Sequence, residues 1–385
     1  MKKVTRVLVF STDDHLYPAG GAEQAFGNIS ERLPHIEFDL ISARLRPSAK
    51  RFETVKNVHI YRIGFGIPRV DGILLALFGH LVAHQLMKKH TYDLIWSIMA
   101  SYGAFAAVRV KRQTKLPFLL TLQEGDSFEH IYSRVRLVRR AFNNIFKTAD
   151  GVQAISHYLM KWGRDMGYKG SAGKVIPNGV AIEAFTKTYS PDEIKEARAS
   201  FGFPAANTIL ITSSRLEKKN GIGDVVTALP LLPKDVCFVV CGSGSLEAEI
   251  KQQVSELGVA DRVRFLGFVE PRKLPLLLQA SDIFIRPSHT EGLGNAFLEA
   301  MAAGLLTVGT RAGGIPDFLT DRETGFMVEI GSRESIAGTI NAIRTLDGGE
   351  IARIKSKAKR MVIDIYNWEK VSREMELFFE ELTSV

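Results

Sequence analysis

Short apolar runs alternate with longer helical patterns along almost the whole chain. The first series of strand-like runs comprises Val7–Phe10, Phe38–Ile41, His59–Arg62, Leu94–Trp96, Phe118–Thr121, Gly151–Ala154 and Lys174–Ile176. The second comprises Thr208–Thr212, Cys237–Cys241, Val263–Leu266, Ile283–Arg286, Leu306–Gly309 and Gly325–Val328. Strands that alternate with helices are typical of parallel α/β sheets. The two series therefore predict two doubly wound, Rossmann-like domains.

A turn and a helix start mark the link between these domains. Pro177-Asn-Gly179 is a turn signal, and Ser190-Pro191 is typical of a helix N-terminus. We predict a first domain over residues 1–185 and a second over 186–365, with a final helix at 366–385 that packs back on the first domain. Because open α/β sheets bind ligands at the carboxyl ends of their strands, we expect a site in a cleft between the domains.

Composition narrows the class of protein. The chain has 385 residues, 45% hydrophobic and 24% charged, which is ordinary for a globular protein. Its net charge of +8 indicates an anionic partner such as a nucleotide, a phospholipid surface or nucleic acid. No aromatic-interleaved basic surface or known motif supports nucleic acid.

Cysteines, histidines and the most apolar segment each exclude a class of site. Cys237 and Cys241 would lie about 13 Å apart in a strand, too far for a disulfide, so we predict free buried thiols in a reducing cytosol. His80 and His84 have helical spacing but no third ligand nearby, so no metal site is predicted. Gly72–Met87 contains both histidines and is interpreted as a core or interfacial helix rather than a membrane span.

The segment His289–Gly304 carries the main chemical signal. It follows the run Ile283–Arg286, contains Gly292 and Gly294, and continues into the helix-forming Asn295–Ala303. The glycines let the backbone approach a ligand closely. A strand, a glycine-rich turn and a helix N-terminus form an anion site through free amides and the helix dipole.

Two carboxylates and two cations frame this anion site. Glu291 lies before the helix, and Glu299 lies on it, about 8 Å from its start. A diphosphate at the helix tip leaves room for ribose hydroxyls at Glu299 and for a sugar at Glu291. Arg215 and Lys219 follow the first strand of the second domain and face the same edge. Their charges suit a leaving nucleoside diphosphate.

With further motifs, these residues resemble the retaining family 4 glycosyltransferases of the GT-B fold. The matching pieces are Arg215…Lys219, Gly242-Ser-Gly244, Phe265-Leu-Gly-Phe268, Ser281-Asp282…Pro287-Ser288, Glu291-x7-Glu299, Gly304, Gly313-Gly-Ile-Pro316, Thr324-Gly-Phe326, Gly20-Gly-Ala-Glu23 and Ile176-Pro-Asn-Gly-Val180. The resemblance runs nearly end to end and implies two Rossmann-like domains facing across a cleft.

The resemblance also implies residue roles. Arg215, Lys219 and Glu291 would be the catalytic set. Donor-binding positions would be Gly21, Gly242, Gly244, Gly292, Leu293, Gly294, Asn295 and Glu299. Transfer in this family is front-side, with the leaving phosphate oxygen taking the acceptor proton, and needs no metal or other cofactor.

Three positions depart from the family pattern. The run Thr121–Asp126 stands where a histidine usually follows the strand, so Gln123, Glu124 and Asp126 are the acceptor-side candidates. Ala181 stands where an aspartate is common, and Arg286 where the family is usually apolar. The sequence gives Arg286 no functional interpretation.

We predict a retaining hexosyltransferase that uses a UDP- or GDP-linked sugar. Its acceptor would be a saccharide or lipid-linked molecule in bacterial cell-surface polysaccharide or glycolipid synthesis. The alternatives are a nucleotide-sugar epimerase or a sugar phosphorylase on the same fold, and a nucleic-acid-binding protein. The combination of Arg215, Lys219, Glu291 and Glu299 favours transfer over these.

The segment 131–147 has a basic amphipathic pattern. Its apolar positions are Ile131, Val135, Val138, Phe142 and Ile145, and its basic ones are Arg134, Arg136, Arg139, Arg140 and Lys147. Two interpretations stay open: a helix that lies on an anionic membrane, and a packed surface helix with a solvated basic face. The first would place a cytoplasmic protein peripherally on the inner face of the plasma membrane.

Overall fold

The computed structural model describes residues 3–14 and 20–384. It divides the chain into two compact units, each with a hydrophobic core. Unit 1 comprises Met1–Gly179 and Trp368–Val385, and unit 2 comprises Val180–Asn367. The first boundary lies six residues before the predicted one at 185/186.

Unit 1 is built on an eight-stranded sheet with the order β3-β4-β2-β1-β5-β6-β7-β8. The strands are β1 (Arg6–Phe10), β2 (Glu37–Ala43), β3 (Phe52–Val55), β4 (Val58–Ile63), β5 (Leu94–Ile98), β6 (Phe118–Leu122), β7 (Gly151–Ala154) and β8 (Ala172–Val175). All pairings are parallel except β3 with β4. The edge strand β3 was not predicted, because its four exposed or half-exposed residues lack the apolar run of a buried parallel strand.

Helices cover unit 1 and connect its parallel strands. They are α1 (Gly21–Arg32), α2 (Pro68–Met87), α3 (Tyr102–Gln113), α4 (Phe128–Arg134), α5 (Arg139–Thr148) and α6 (His157–Asp165). The predicted single helix over 131–147 is wrong: α4 ends at Arg134, a short 3-10 turn spans Arg136–Val138, and α5 begins at Arg139. Of the described helices, α2 alone is long and apolar enough to cross a membrane by length and composition, with 33% of its most apolar window buried.

Unit 2 is built on a six-stranded parallel sheet with the order β11-β10-β9-β12-β13-β14. The strands are β9 (Thr208–Ser213), β10 (Val236–Cys241), β11 (Val263–Gly267), β12 (Ile283–Ile285), β13 (Leu306–Gly309) and β14 (Phe326–Met327). The helices are α7 (Ile182–Thr186), α8 (Pro191–Ser200), α9 (Ile222–Ala228), α10 (Glu247–Glu256), α11 (Leu274–Gln279), α12 (Asn295–Ala302), α13 (Arg333–Arg344) and α14 (Gly348–Ile365). Short 3-10 turns lie at Lys218–Asn220, Leu229–Leu231, Ala260–Arg262 and Ile315–Asp317.

Local sequence signals explain several element boundaries. Ser190 caps α8 through a reciprocal capping box with Glu193, as its sequence predicts. The chain leaves α12 at Gly304, whose φ of +86° suits a glycine helix stop. Cys237 and Cys241 are free and buried, which confirms the predicted thiols.

The last helix, α15 (Trp368–Thr383), belongs to unit 1. Its buried side chains, among them Trp368, Phe378 and Phe379, join the core of that unit, and Phe379 packs edge-on against Trp96 of β5. Any side chain in place of Gly179 would disturb this junction, because a Cβ there would lie 2.6 Å from the Trp368 ring. The chain therefore returns to its first unit after completing the second.

Candidate functional site

The carboxyl ends of the unit 2 strands gather the predicted donor motifs. The segment after β12 runs through Glu291 and Gly292 into the turn at Gly294, which precedes α12. Gly294 adopts a φ of +106°, a left-handed conformation that L side chains rarely adopt. Leu293 is buried beneath this turn, and Asn295 begins the helix. The Phe297 amide donates to the Gly294 carbonyl at 2.9 Å, which leaves the amides of Asn295 and Ala296 without a helical partner at this helix start.

Backbone contacts hold Glu291 in place. The amide of Gly314 donates to the Glu291 carbonyl at 3.2 Å, and a Cβ on Gly313 would overlap that same carbonyl oxygen. The Glu291 carboxylate accepts from its neighbour's amide, Gly292 N, at 3.2 Å. A second glycine-rich segment therefore fixes the backbone of the first.

The loop after β9 is joined to this motif. The amide of His289 donates to the Lys219 carbonyl at 2.7 Å, and a Cβ on Gly221 would overlap the carbonyl of Pro287. The His289 imidazole also lies 2.7 Å from the Asp224 carboxylate on α9. The loop that carries the two predicted cations therefore lies against the segment that carries Glu291.

The predicted glycine turn after β10 completes the group. A Cβ on Gly242 would overlap the Ser214 carbonyl, and one on Gly244 would lie 2.5 Å from the Leu216 amide. Leu216 N in turn donates to the Ser243 carbonyl at 3.0 Å. Between these contacts Arg215 is exposed, and within the described residues its guanidinium makes no ion pair, so it is available to an anion.

Arg286 pairs with Glu291, the first glutamate of the motif. Its side chain is buried, donates to the Glu291 carboxylate at 2.5 Å and lies over the Phe297 ring at 4.9 Å. Burial raises the pKa of the Glu299 carboxyl to about 7, whereas the charge of Arg286 acts to lower it. The sequence indicated no role for Arg286, because what marks it is its burial against Glu291. The sequence shows that these residues are five positions apart, but it does not show that they pack together.

Unit 1 contains a separate cavity of about 350 Å³ at the ends of β5 and β6. Its lining is mainly apolar and is contributed by several elements. The lining residues are Ser11, Thr12, Glu23, Ile98, Met99, Ala100, Ser101, Tyr102, Phe105, Glu124, Gly125, Asp126, His130, Ile131, Arg134, Val135, Val138 and Phe142. The apolar positions of 131–142 therefore face this cavity. Concave, largely apolar sites with a few polar groups are typical of small-molecule binding.

Glu124 is a buried carboxyl at this cavity. One carboxyl oxygen accepts from the Ala100 amide at 2.8 Å, while the other, Oε2, is buried without a partner in the described part of the chain. Burial raises the pKa of this carboxyl to about 7, against the lowering effect of its backbone hydrogen bonds. Glu124 therefore places one unsatisfied carboxyl oxygen beside the cavity.

The remaining first-domain candidates lie around it. Gln123 accepts from Asn178 of the predicted turn motif at 3.3 Å, and Asp126 lines the cavity. Gly21 begins α1, and a Cβ there would meet open space. Sequence reasoning missed Met99, which lines the cavity with a φ of +68°, because no local signal marks a methionine for that conformation.

Comparisons with known proteins give the family. The Glycosyltransferase Family 4 model matches residues 19–184, and the model for Glycosyl transferases group 1 matches residues 193–361. A curated relative, the N-acetyl-alpha-D-glucosaminyl L-malate synthase of Bacillus anthracis, is 27% identical over 249 residues, which cover 63% of each chain. The GDP-mannose-dependent alpha-(1-6)-phosphatidylinositol monomannoside mannosyltransferase of Mycolicibacterium smegmatis is 26% identical over 298 residues, 74% of this chain and 75% of that enzyme.

Solved structures agree on the fold. The Anabaena protein Alr3699/HepE, solved in complex with UDP and glucose, superposes with a TM-score of 0.78 at 23% identity, covering 99% of this chain and 100% of that one. At this identity the likeness establishes the fold alone, which is GT-B as predicted. Because the two family models together account for most of the chain, this protein belongs to the GT-B glycosyltransferases that join a family 4 first domain to a group 1 second domain.

Proposed function

We propose that the protein is a retaining hexosyltransferase that takes its sugar from a nucleoside diphosphate donor bound at the strand ends of unit 2. The observation that carries this proposal is the union of three loops there: the segment with Arg215 and Lys219, the turn Gly242–Gly244, and the motif Glu291–Glu299. Free amides at the start of α12 suit a phosphate, and Arg215 adds a bidentate cation. Glu299 suits ribose hydroxyls.

The proposed reaction breaks the bond between the sugar C1 and the donor phosphate oxygen, and forms a bond from C1 to the acceptor oxygen on the same face. The proton of the acceptor hydroxyl goes to the leaving phosphate oxygen. Arg215 and Lys219 neutralise the charge that develops on the diphosphate, which requires no metal or other cofactor. Glu291, oriented by Arg286, receives the sugar hydroxyls. Gly21 stays a predicted donor contact from unit 1.

The acceptor is proposed to be a saccharide or a lipid-linked molecule. The relative from Mycolicibacterium is named for a phosphatidylinositol mannoside, and the apolar cavity with Glu124 suits an amphiphile that has a hydroxyl. Glycolipid or cell-surface polysaccharide synthesis by a cytoplasmic protein, peripheral on the plasma membrane, follows from such an acceptor. Leu137, 93% exposed between α4 and α5, and the basic residues around it support membrane contact by 131–147.

The test uses ligand binding and transfer together. A thermal-shift screen with UDP, GDP and their sugars is expected to show stabilisation by one nucleotide series, because a ligand of the native state raises its stability by mass action. Arg215→Ala is expected to lower transfer about 100- to 1,000-fold, and Glu299→Ala to weaken nucleotide binding. Lys218→Ala, the neighbouring exposed cation, is the control.

Two outcomes would overturn the proposal. Wild-type turnover by Arg215→Ala or Glu299→Ala would remove the assigned site. Conversion of the donor to its epimer, or phosphate-dependent release of sugar phosphate with no acceptor, would favour the epimerase or phosphorylase alternatives.

A further inference from the structure

Helix α2 carries an apolar face that the described part of the chain leaves about half exposed. Its buried residues, among them Gly72, Leu75, Gly79 and Ala83, follow helical spacing on one side. The outer face of α2 consists of Val70, Ile73, Leu77, Phe78 and Leu81, with Phe65 and Ile67 in the preceding turn, and its members are 43% to 65% exposed. A helix that is apolar all round is normally buried all round, so this face needs a partner.

The inner face shows that α2 is an integral layer of unit 1. A Cβ on Gly72 would lie 2.8 Å from the Tyr102 ring, and one on Gly79 would lie 2.9 Å from the Ala106 Cβ, so small residues bring α2 close to α3. Arg109 of α3 donates to the carbonyls of Ala76 and Leu77. Held in this way, α2 presents its outer face as a fixed surface rather than as a separate membrane span.

The entry turn is fixed as well. The Asp71 carboxylate accepts from the amides of Phe65, Gly66 and Ile67, at distances from 2.6 to 2.9 Å. Asp71 is fully buried, and its carboxylate is engaged in these hydrogen bonds of the turn. The exposed rings and branched side chains of the turn are therefore positioned beside those of the helix.

Charge around this face is one-sided. Between Gly64 and Gln113 the basic residues are Arg69, Lys88, Lys89, Arg109, Lys111 and Arg112. Lys111 is paired with Asp150 and Arg109 is bonded to α2, so Arg69, Lys88 and Lys89 are the cations that flank the exposed face. The acids are Asp71, which is buried, and Asp93, which accepts from the amides of Thr5 and Arg6. The surface therefore combines exposed apolar side chains with a basic rim and lacks an exposed acid along α2.

We infer that the outer face of α2 docks the protein on an anionic phospholipid surface. Apolar side chains enter the interface between headgroups and acyl chains, and Arg69, Lys88 and Lys89 meet the lipid phosphates. A second copy of the chain fits less well, because a two-fold contact would bring the same basic residues together. Tyr102, which contacts Gly72, also lines the unit 1 cavity, so the docking face and the cavity are one helix layer apart.

Vesicle co-sedimentation of the full chain tests this inference without any substrate, so its outcome does not depend on the proposed reaction. We expect binding to vesicles of phosphatidylcholine with phosphatidylglycerol, weaker binding in high salt, and little binding to phosphatidylcholine alone. Ile73→Ser with Leu77→Ser is expected to lower the bound fraction at least tenfold, and Lys88→Glu with Lys89→Glu several-fold. Both pairs are exposed and leave the inner face of α2 intact.

Matched variants in unit 2 serve as controls. Leu257→Ser with Ile330→Ser removes comparably exposed apolar side chains, and Lys195→Glu with Lys234→Glu makes the same charge change. Both are expected to bind as wild type does. Wild-type vesicle binding by Ile73→Ser/Leu77→Ser would overturn the inference. A second result would also overturn it: wild type forms a dimer on size exclusion and does not bind vesicles, and Ile73→Ser/Leu77→Ser is monomeric. Loss of binding only in Arg139→Glu/Arg140→Glu would assign docking to 131–147 instead.

Discussion

The strand ends of the two units are built differently. In unit 2, the loops lie against one another through backbone contacts at Gly221, Gly242 and Gly313, where any side chain would overlap a carbonyl. In unit 1, the cavity is shaped by side chains from several helices and loops, such as Tyr102 and Phe142. The loops of unit 2 therefore depend on glycines at close backbone contacts, whereas the cavity of unit 1 depends on which side chains line it.

This difference explains why the motifs of unit 2 are visible in the sequence. A diphosphate is bound by amides, helix dipoles and close backbone approach, which require glycine at fixed positions. A cavity such as that of unit 1 requires only a volume and a few polar groups, which many side-chain combinations provide. Of the three departures from the family pattern, the run with Gln123 and Glu124 lies in unit 1, whereas Ala181 and Arg286 lie in unit 2 and leave the glycine positions unchanged.

The two units share one electrostatic feature with different surroundings. Each places a carboxyl whose pKa burial raises to about 7 at its strand ends, Glu124 in unit 1 and Glu299 in unit 2. Glu124 is held by backbone amides, whereas Glu299 lies near the Arg286 guanidinium. If the unit 2 site depends on backbone contacts and the unit 1 cavity on side chains, substitutions in the two units should have different effects.

The largest effect is expected from Gly313→Ala. The new Cβ would overlap the Glu291 carbonyl at a φ of +54°, so the donor motif must shift. A displacement of about 1 Å costs roughly 100-fold in function, and we expect a loss of at least that size in nucleotide affinity or transfer. Isothermal calorimetry with the stabilising nucleotide measures it. Gly338→Ala, a helix position open to space, is the control, and equal behaviour of the two variants would contradict a backbone-built site.

A smaller effect is expected from Glu124→Gln on the pH dependence of stability. The pKa of Glu124 is raised to about 7 in the folded state, so its buried neutral carboxyl contributes its full stability below the pKa of the unfolded state. This contribution is lost as pH rises through about 7, because the buried group must then ionise. The loss amounts to about 3 kcal/mol for one buried carboxyl. Urea unfolding at pH 4.5 and pH 8 should therefore show a smaller decline for Glu124→Gln than for wild type. The exposed Glu129→Gln is the control, and an unchanged decline in Glu124→Gln would remove the buried-acid interpretation.

The smallest effect is expected from Arg286→Met. The variant keeps the contact with Phe297 but removes the donor to the Glu291 carboxylate, so transfer should fall about tenfold through lost orientation. If Arg286 acts through Glu291, the double variant with Glu291→Gln should cost no more than Glu291→Gln alone. Arg333→Met, an exposed arginine of unit 2, controls for lost charge. Additive losses in the double variant would show that Arg286 acts independently of Glu291.

Much of the fold was predictable, because buried parallel strands are continuous apolar runs, and every predicted run overlaps a strand, although those at Lys174–Ile176, Ile283–Arg286 and Gly325–Val328 extend one residue beyond a strand end. The failures have physical causes. Strand β3 is a half-exposed edge without such a run. The segment 131–147 has helical periodicity throughout, yet Val135 and Val138 leave the helical conformation where the chain turns to line the cavity.

The sequence by itself determined the strand series, the family and the residues of the glycine-rich segment around Glu291, since these rest on local patterns and on glycines at positions of close backbone contact. The features that depend on contacts between distant segments were decided only by the tertiary structure. It buried Arg286 against Glu291, left an oxygen of Glu124 unpartnered in a cavity, and covered one side of α2 while exposing the other. Burial and partners depend on which distant segments meet, and that is a property of the whole packed chain rather than of any local pattern.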